Sequence, residues 1–350
     1  MSETMEFDTV SPASQPEALA AIRQLLADCQ LELDSKIDVF VVVYRQGSLI
    51  ACAGLSGNII KCVAIAPQWR GESLSLQLVN EVVQIAAERG HFHLFLYTKP
   101  ENQRFFTGCG FYTLVEVPGH VVLMENTPVG IQHYCQRLRM LRQPSNKTGC
   151  IVMNANPFTL GHRYLAEQAA AACDWLHVFV VREDVSFFPY AQRYELVTQG
   201  LGGIPNLTVH HGSEYMISRA TFPSYFLKDK GIVDSCHTAI DLLLFRDYIA
   251  PALGISHRFI GTEPFCPVTN KYNEDMKQWL QHAHCPAPAI EVVELSRHVR
   301  NGQPVSASRV RRLLSRQDFN AIQALVPPST LQLLLSEYAA EPAPALERYG

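Results

Sequence analysis

The sequence predicts an α/β protein built in two parts, an N-terminal α+β domain with a mostly antiparallel sheet and a C-terminal doubly wound parallel-sheet domain. Three observations support this. Strand-like runs early in the chain are separated by hairpin turn chemistry, Gln46-Gly47-Ser48 and Ser56-Gly57-Asn58. Beyond residue 148, short apolar runs alternate with helical periods, as parallel βα units require. Between the two lies Gln143-Pro144-Ser145-Asn146-Lys147, polar and Pro-containing, as linkers are.

Taken in order, Leu19, Ile22, Leu25, Leu26 and Cys29 recur at helical spacing within 16–33. Strands are expected at 37–44, 49–55 and 59–65, then a helix over 74–89 stopped by Gly90. A strand at 91–97, a short helix at 101–107 and strands at 111–117 and 120–124 complete the first half. Residues 128–142 read as a basic helix with Arg137, Arg139 and Arg142. The second half predicts strands at 149–154, 175–181, 207–211, 257–261 and 290–295. Its helices are expected at 163–173, 191–199, 224–230, 239–249 and 273–282. The organisation is thus a first domain at 1–127, a helical linker at 128–147, a second domain at 148–340 and a tail at 341–350.

A chain of 350 residues suits about two domains, and 47% hydrophobic residues can fill a core in each. A formal charge of -4 supplies no positive field for non-specific nucleic-acid binding. The ten cysteines include no C-x-x-C pair, which removes the zinc-ribbon and dithiol signals. His282, His284 and Cys285 read as a polar loop before Pro286, and no metal site is expected. The polar start and the lack of any apolar run near 18 residues predict a cytoplasmic protein with reduced thiols and no membrane segment.

In doubly wound sheets ligands bind beyond the carboxyl ends of the strands. The first such junction reads Asn154-Ala155-Asn156-Pro157-Phe158-Thr159-Leu160-Gly161-His162. A helix N-terminus there offers unpaired N–H groups to phosphate, and Gly161 admits a close anion. Thr159 and His162, one turn apart, can address the same phosphoryl group, the histidine donating to an oxygen as charge grows on it. A second junction, Val305-Ser306-Ala307-Ser308-Arg309-Val310-Arg311, adds Ser306 as an N-cap, a second hydroxyl at Ser308 and an arginine for departing pyrophosphate. Arg309 and Arg312 neighbour Arg311, and only one of the three need face the site.

Thr159–His162 resembles the (H/T)-x-G-H signature of the nucleotidyltransferase superfamily, and Val305–Arg311 its I-S-S-T-x-x-R partner. Together with Phe188–Arg193, Ala220–Phe226 and Gly261–Phe265, the first junction resembles citrate lyase ligases over essentially the whole chain. The resemblance implies an AMP-forming acid–thiol ligase using ATP, Mg²⁺ and acetate. Its partner would be citrate lyase, through the phosphoribosyl-dephospho-CoA thiol of the acyl carrier subunit. It further implies that Thr159, His162 and Arg311 serve catalysis while Asn156, Gly161, Ser306 and Ser308 bind phosphate. Gly261 and Glu263 would lie near the adenosine, and Arg182 and Arg193 are further candidates for an anion.

Gln68-Trp69-Arg70-Gly71-Glu72-Ser73 resembles the pyrophosphate loop of GNAT acetyltransferases, with Ser73 in place of the last small residue. Gln68, Arg70, Gly71 and Ser73 are therefore candidates to hold the prosthetic group. Phe106 stands where that family often has the tyrosine that protonates a departing thiolate, which implies that this half accepts onto a thiol. Three other readings use parts of the same pattern: an adenylyltransferase acting on a phosphorylated metabolite, a GNAT-type N-acetyltransferase and a non-catalytic nucleotide sensor.

Overall fold

The structure, a computed structural model, describes residues 5–182, 186–217, 222, 225–227, 229–262, 267–282, 285–300 and 302–340. It divides into two compact units, Met1–Tyr134 with Phe222–Ile240, and Cys135–Thr221 with Asp241–Gly350. This differs from a single cut in the 143–147 linker, because residues 222–240 return to the first unit. Apolar burial explains the return: Phe222 sets its ring edge-on to Tyr97 at 5.1 Å, and the Glu32 N–H donates to the Tyr225 carbonyl at 2.9 Å.

The first unit carries strands β1 (Glu6–Val10), β2 (Val39–Arg45), β3 (Ser48–Ser56), β4 (Ile59–Ile65), β5 (Phe95–Thr98), β6 (Tyr112–Val117) and β7 (Val121–Glu125). They form one sheet in the order β1-β2-β3-β4-β5-β7-β6, antiparallel except for β4 and β5. β1 was not foreseen: it is an edge strand with only Val10 buried, so it lacks the alternation that announces a strand. Helices α1 (Pro16–Asp28), α2 (Glu72–Glu88) and α3 (Gln103–Gly108) accompany the sheet. Leu74, Leu78, Val79 and Val82 of α2 join Val41, Val43, Ala51 and Ala53 in its core. Helix α4 (Gly130–Arg139) follows, within the span read as a basic helix.

The second unit is built on parallel strands β8 (Thr148–Met153), β9 (Trp175–Val180), β10 (Leu207–His211), β11 (His257–Gly261) and β12 (Glu291–Leu295). Their order is β10-β9-β8-β11-β12, so the chain switches direction between β8 and β11. Helices α5 (Leu160–Ala171) and α6 (Tyr190–Gly200) connect the first three strands. Ala166, Ala169 and Ala170 of α5 are small enough to press against Ile151, Val178 and Phe259.

Helix α7 (Lys230–Leu244) begins at the residue where the 224–230 reading ends it, and it joins α8 (Ala250–Leu253) through a π-helical turn at Phe245–Ile249. Pro251 does not stop the chain there, because the widened turn just before it accommodates a residue that cannot donate backward. The stop is Gly254, in the left-handed conformation at φ 73°. After α9 (Pro267–Lys277) and β12 come the small hairpin of β13 (Val299–Arg300) and β14 (Gln303–Pro304). Helices α10 (Ala307–Leu314), α11 (Phe319–Gln323) and α12 (Pro328–Tyr338) close the unit around Val305, Val310, Leu314 and Leu334.

Candidate active site

β8 and β11 pair only at His257↔Gly149 and Arg258↔Cys150, and diverge beyond these toward their carboxyl ends. A cavity of ≈ 500 Å³ opens in that crevice, at the point where strand order reverses. None of the described residues lining it is an aspartate or glutamate, while Arg258, Arg297, Arg311 and His162 all do. The lining is therefore cationic.

Thr159 caps α5 and is fully buried. Its hydroxyl accepts from the His162 N–H at 3.4 Å, and its own N–H donates to His162 Nδ1 at 3.0 Å. Nδ1 is thus an acceptor, which places the ring proton on Nε2. Burial, and then the charge of Arg297, push the imidazole down to about 4, so the ring is neutral near pH 7. Phe158 stacks on it at 5.6 Å, in a space that Gly200 leaves clear for the phenyl ring. His162 is held as a neutral N–H donor at the edge of a cavity lined by arginines.

The second junction meets the first. Ser306 caps α10, accepting from the Arg309 N–H at 3.3 Å, and its hydroxyl lies 3.2 Å from that of Ser308. Among the three neighbouring arginines it is Arg311 that turns inward, its Nη1 donating to the Asn156 carbonyl at 2.6 Å. Gly161 has a second reason to be glycine: a Cβ there would stand 2.7 Å from the Val305 carbonyl oxygen. Asn156 also binds the protein itself, its Oδ1 accepting from the Phe188 N–H at 3.0 Å.

Other candidates are placed differently. Arg193 is corrected: it is 0% exposed and does not line the cavity. Its Nε donates to the Phe188 carbonyl, and its Nη1 to the carbonyls of Asn154 and Val181 and to Asn154 Oδ1. It ties loops together, because a buried guanidinium must spend its donors on whatever acceptors surround it. Arg182 and Ser308 are exposed and outside the cavity lining. Gly261 lines the cavity at the end of β11, its carbonyl held by Asn273 Nδ2 at 3.2 Å. Glu263 lies outside the described residues, as does His284. Among the described residues no cluster of His, Cys, Asp or Glu could hold a metal.

Arg258, Arg297, His298, Tyr272 and Asn273 line the cavity without having been foreseen. Arg297 donates from Nε to the Thr262 carbonyl at 2.6 Å. An arginine within the strand His257–Gly261 was the available signal, since a charged residue inside a buried parallel strand needs a reason.

The first unit has its own cavity of ≈ 510 Å³, where β4 and β5 separate beyond their two paired positions, Ile59↔Phe95 and Ile60↔Leu96. Val63, Ile65, Tyr97 and Thr98 line it from the two strands, with Arg70, Gly71, Phe106 and Tyr225. Gly71 is the N-cap of α2, in extended backbone with no atom within 4 Å of its absent Cβ. Gln68 and Ser73 are exposed and do not line the cavity, whereas Arg70 and Gly71 do.

The folds define the class: an acetyltransferase-type sheet unit joined to a parallel α/β unit with an anion-suited crevice at its switch point. Family models agree with both halves, the acetyltransferase (GNAT) family over residues 6–111 and the citrate lyase ligase C-terminal domain over 148–334. The [citrate [pro-3S]-lyase] ligase of Escherichia coli is 53% identical over 337 residues, covering 96% of each chain. That of Klebsiella pneumoniae is 52% identical, covering 90% of this chain and 92% of its own. The Haemophilus influenzae ligase is 47% identical, covering 94% and 98% respectively. The chain belongs to the citrate lyase ligase family.

Proposed function

We propose that this protein activates citrate lyase by acetylating, at the expense of ATP, the thiol of the acyl carrier subunit's phosphoribosyl-dephospho-CoA group. The supporting observation is the pair of capped helix N-termini, at Thr159 and Ser306, clasped by the Arg311–Asn156 hydrogen bond beside a crevice lined by arginines and no described carboxylate. Such a site suits a triphosphate.

In the proposed first step an acetate oxygen bonds to the α-phosphorus of ATP while the bond to the bridging oxygen breaks. Pyrophosphate leaves with that electron pair, and acetyl-adenylate remains. The protein supplies no nucleophile; it orients the groups and stabilises charge. His162 Nε2–H donates to a non-bridging oxygen of the α-phosphoryl group, and Thr159 fixes the ring that does so. Arg311 and Ser306 hold the β- and γ-phosphates, and Gly161 keeps the two junctions close. The Asn156 amide helps to orient phosphate, and Gly261 borders the adenosine. Mg²⁺ would arrive with ATP and would supply charge neutralisation on its phosphates, since the described lining offers no carboxylate to hold it.

In the second step the carrier thiol, as its thiolate, attacks the acetyl carbonyl and AMP departs with the electron pair of the C–O bond. The cavity between β4 and β5 takes the pantetheine arm of the prosthetic group, with its pyrophosphate at Arg70 and the α2 N-terminus. Phe106, buried in that cavity wall, offers no proton, and an acceptor thiol requires none. Among the described residues no helix is long and apolar enough to cross a membrane, and the site of action proposed is the cytoplasm.

The test is exchange of labelled pyrophosphate into ATP with Mg²⁺ and acetate, omitting any thiol. Acetate-dependent exchange that drops about 100-fold or more in His162→Ala is expected. Exchange that is absent, or that ignores acetate, overturns this reading.

A further inference from the structure

Arg258 lies inside β11 rather than at its carboxyl end, 4% exposed and in register with Cys150 of β8. Side chains alternate across a sheet, so Arg258 and Ile260 share one face and Phe259 takes the other. Phe259 packs in the core with Ala166 and Ala169 of α5. Arg258 therefore points to the opposite face, where its guanidinium carbon lies 4.5 Å from the Phe245 ring centroid. There it lines the cavity together with Tyr272 and Met276, one turn apart on α9.

Its Nε is buried with no hydrogen-bond partner, and no described residue forms a hydrogen bond or ion pair with the guanidinium. Asp241 accepts from the Tyr272 hydroxyl at 2.8 Å and from the Ile217 N–H at 3.0 Å, and makes no hydrogen bond or ion pair with Arg258. A buried guanidinium with an unspent donor is unfavourable, and on the wall of a cavity it marks where a ligand acceptor sits. Arg193 shows the contrast, equally buried but with its donors spent on carbonyls and outside the cavity.

We infer that Arg258 seats the carboxylate of the acid substrate, with Val152, Ile260 and Met276 forming an apolar wall that admits only a short chain. This rests on the proposed attack of a carboxylate on ATP. One carboxylate oxygen accepts from the guanidinium, and the other bonds to the α-phosphorus as pyrophosphate leaves. Val152 and Ile260 each lie two residues nearer the carboxyl ends of their strands than Cys150 and Arg258, so they stand above the cation. The triphosphate has its own donors at the helix ends, Arg311 and His162.

The test uses the full chain. Arg258→Lys and Arg258→Gln are compared with the parent in pyrophosphate exchange, with KM measured separately for acetate and ATP. Binding of labelled acetate is measured in parallel by equilibrium dialysis with a non-hydrolysable ATP analogue. The acetate KM is expected to rise about tenfold or more, with the ATP KM unchanged and labelled acetate lost. Met276→Ala is expected to raise the propionate-to-acetate ratio of kcat/KM by about tenfold, near the usual value of one methylene. A raised ATP KM with an unmoved acetate KM would make Arg258 a phosphate ligand and overturn the inference. So would an unchanged acid preference in Met276→Ala, should the arginine variants fail to fold. If the parent shows no exchange yet binds acetate through Arg258, the seat stands and the adenylation reading falls. Acetate that binds equally to parent and Arg258→Gln sinks the seat alone.

Discussion

Arg311 and Asn156 stand 155 residues apart in sequence and meet at 2.6 Å, guanidinium Nη1 to backbone carbonyl. That bond ties the loop before α5 to the first turns of α10, and so joins the two helix N-termini proposed to hold phosphate. Removing a charged donor from a buried carbonyl costs about 1.5–3 kcal/mol. Arg311→Gln is therefore expected to lower stability by that order in urea denaturation, and to reduce pyrophosphate exchange by about 100-fold or more. Unimpaired exchange would show that the clasp is only structural.

Gly161 fixes the same relationship by steric means. A methyl group there meets the Val305 carbonyl oxygen at 2.7 Å, backbone that cannot swing aside as a side chain would. Gly161→Ala must push α5 away from Val305 at a cost of about 1–3 kcal/mol, typical of overpacking. The expected signature is a lowered melting temperature together with weakened ATP binding by calorimetry. Retained ATP affinity would mean that the crevice tolerates the displacement.

Much of this was legible in the sequence, for reasons that differ by residue. The hairpins around Gly47 and Gly57 announce an antiparallel sheet through turn chemistry, and both glycines adopt positive φ. Thr159 and His162 could be picked out because they stand within four residues at a strand-to-helix junction, whereas the capping box they form with each other became visible only in three dimensions. Arg193 misled because sequence shows a charge but not the carbonyls that surround it. Arg258 was missed for the converse reason: its buried Nε has no hydrogen-bond partner, which only three dimensions reveal. Residues 222–240 could not be assigned, since an amphipathic helix does not state which core it will cover.

The depressed pKa of His162, about 4, separates two kinds of catalysis by histidine. A ring that is neutral throughout pH 6–8 donates Nε2–H equally well over that range. Exchange rates limited by this step are expected to stay flat there, with no rise as pH falls through 6.5. An acid limb near 6.5 that vanishes in His162→Asn would show a protonated ring at work instead.

The same shift governs stability. His162, His177 and His210 are held at about 4, 3 and 4, chiefly by burial, against 6.5 when free. Between roughly pH 6.5 and 4 the unfolded chain binds protons that the folded chain refuses, so stability falls on acidification through that window. His177 Nδ1 and His210 Nε2 lie 2.8 Å apart, a pair in which a second charge is especially unfavourable. His177→Asn is expected to make the pH dependence of the urea midpoint shallower across the window. An unchanged slope would place the acid sensitivity elsewhere.

Gly71 offers the cleanest separation of the two half-reactions. Its backbone is extended, at φ -170°, a conformation open to any residue, and its missing Cβ would meet nothing within 4 Å. Gly71→Glu therefore should not disturb packing, but it puts a carboxylate at the N-terminus of α2 beside Arg70, on the wall of the β4–β5 cavity. If that helix end receives the pyrophosphate of the carrier's prosthetic group, like-charge repulsion there lowers carrier acetylation by about tenfold or more. Acetate-dependent pyrophosphate exchange needs no carrier and is expected to keep its parental rate. Equal loss of both reactions would argue that the first unit does more than hold the thiol arm. Loss of neither would leave it a packing or docking module.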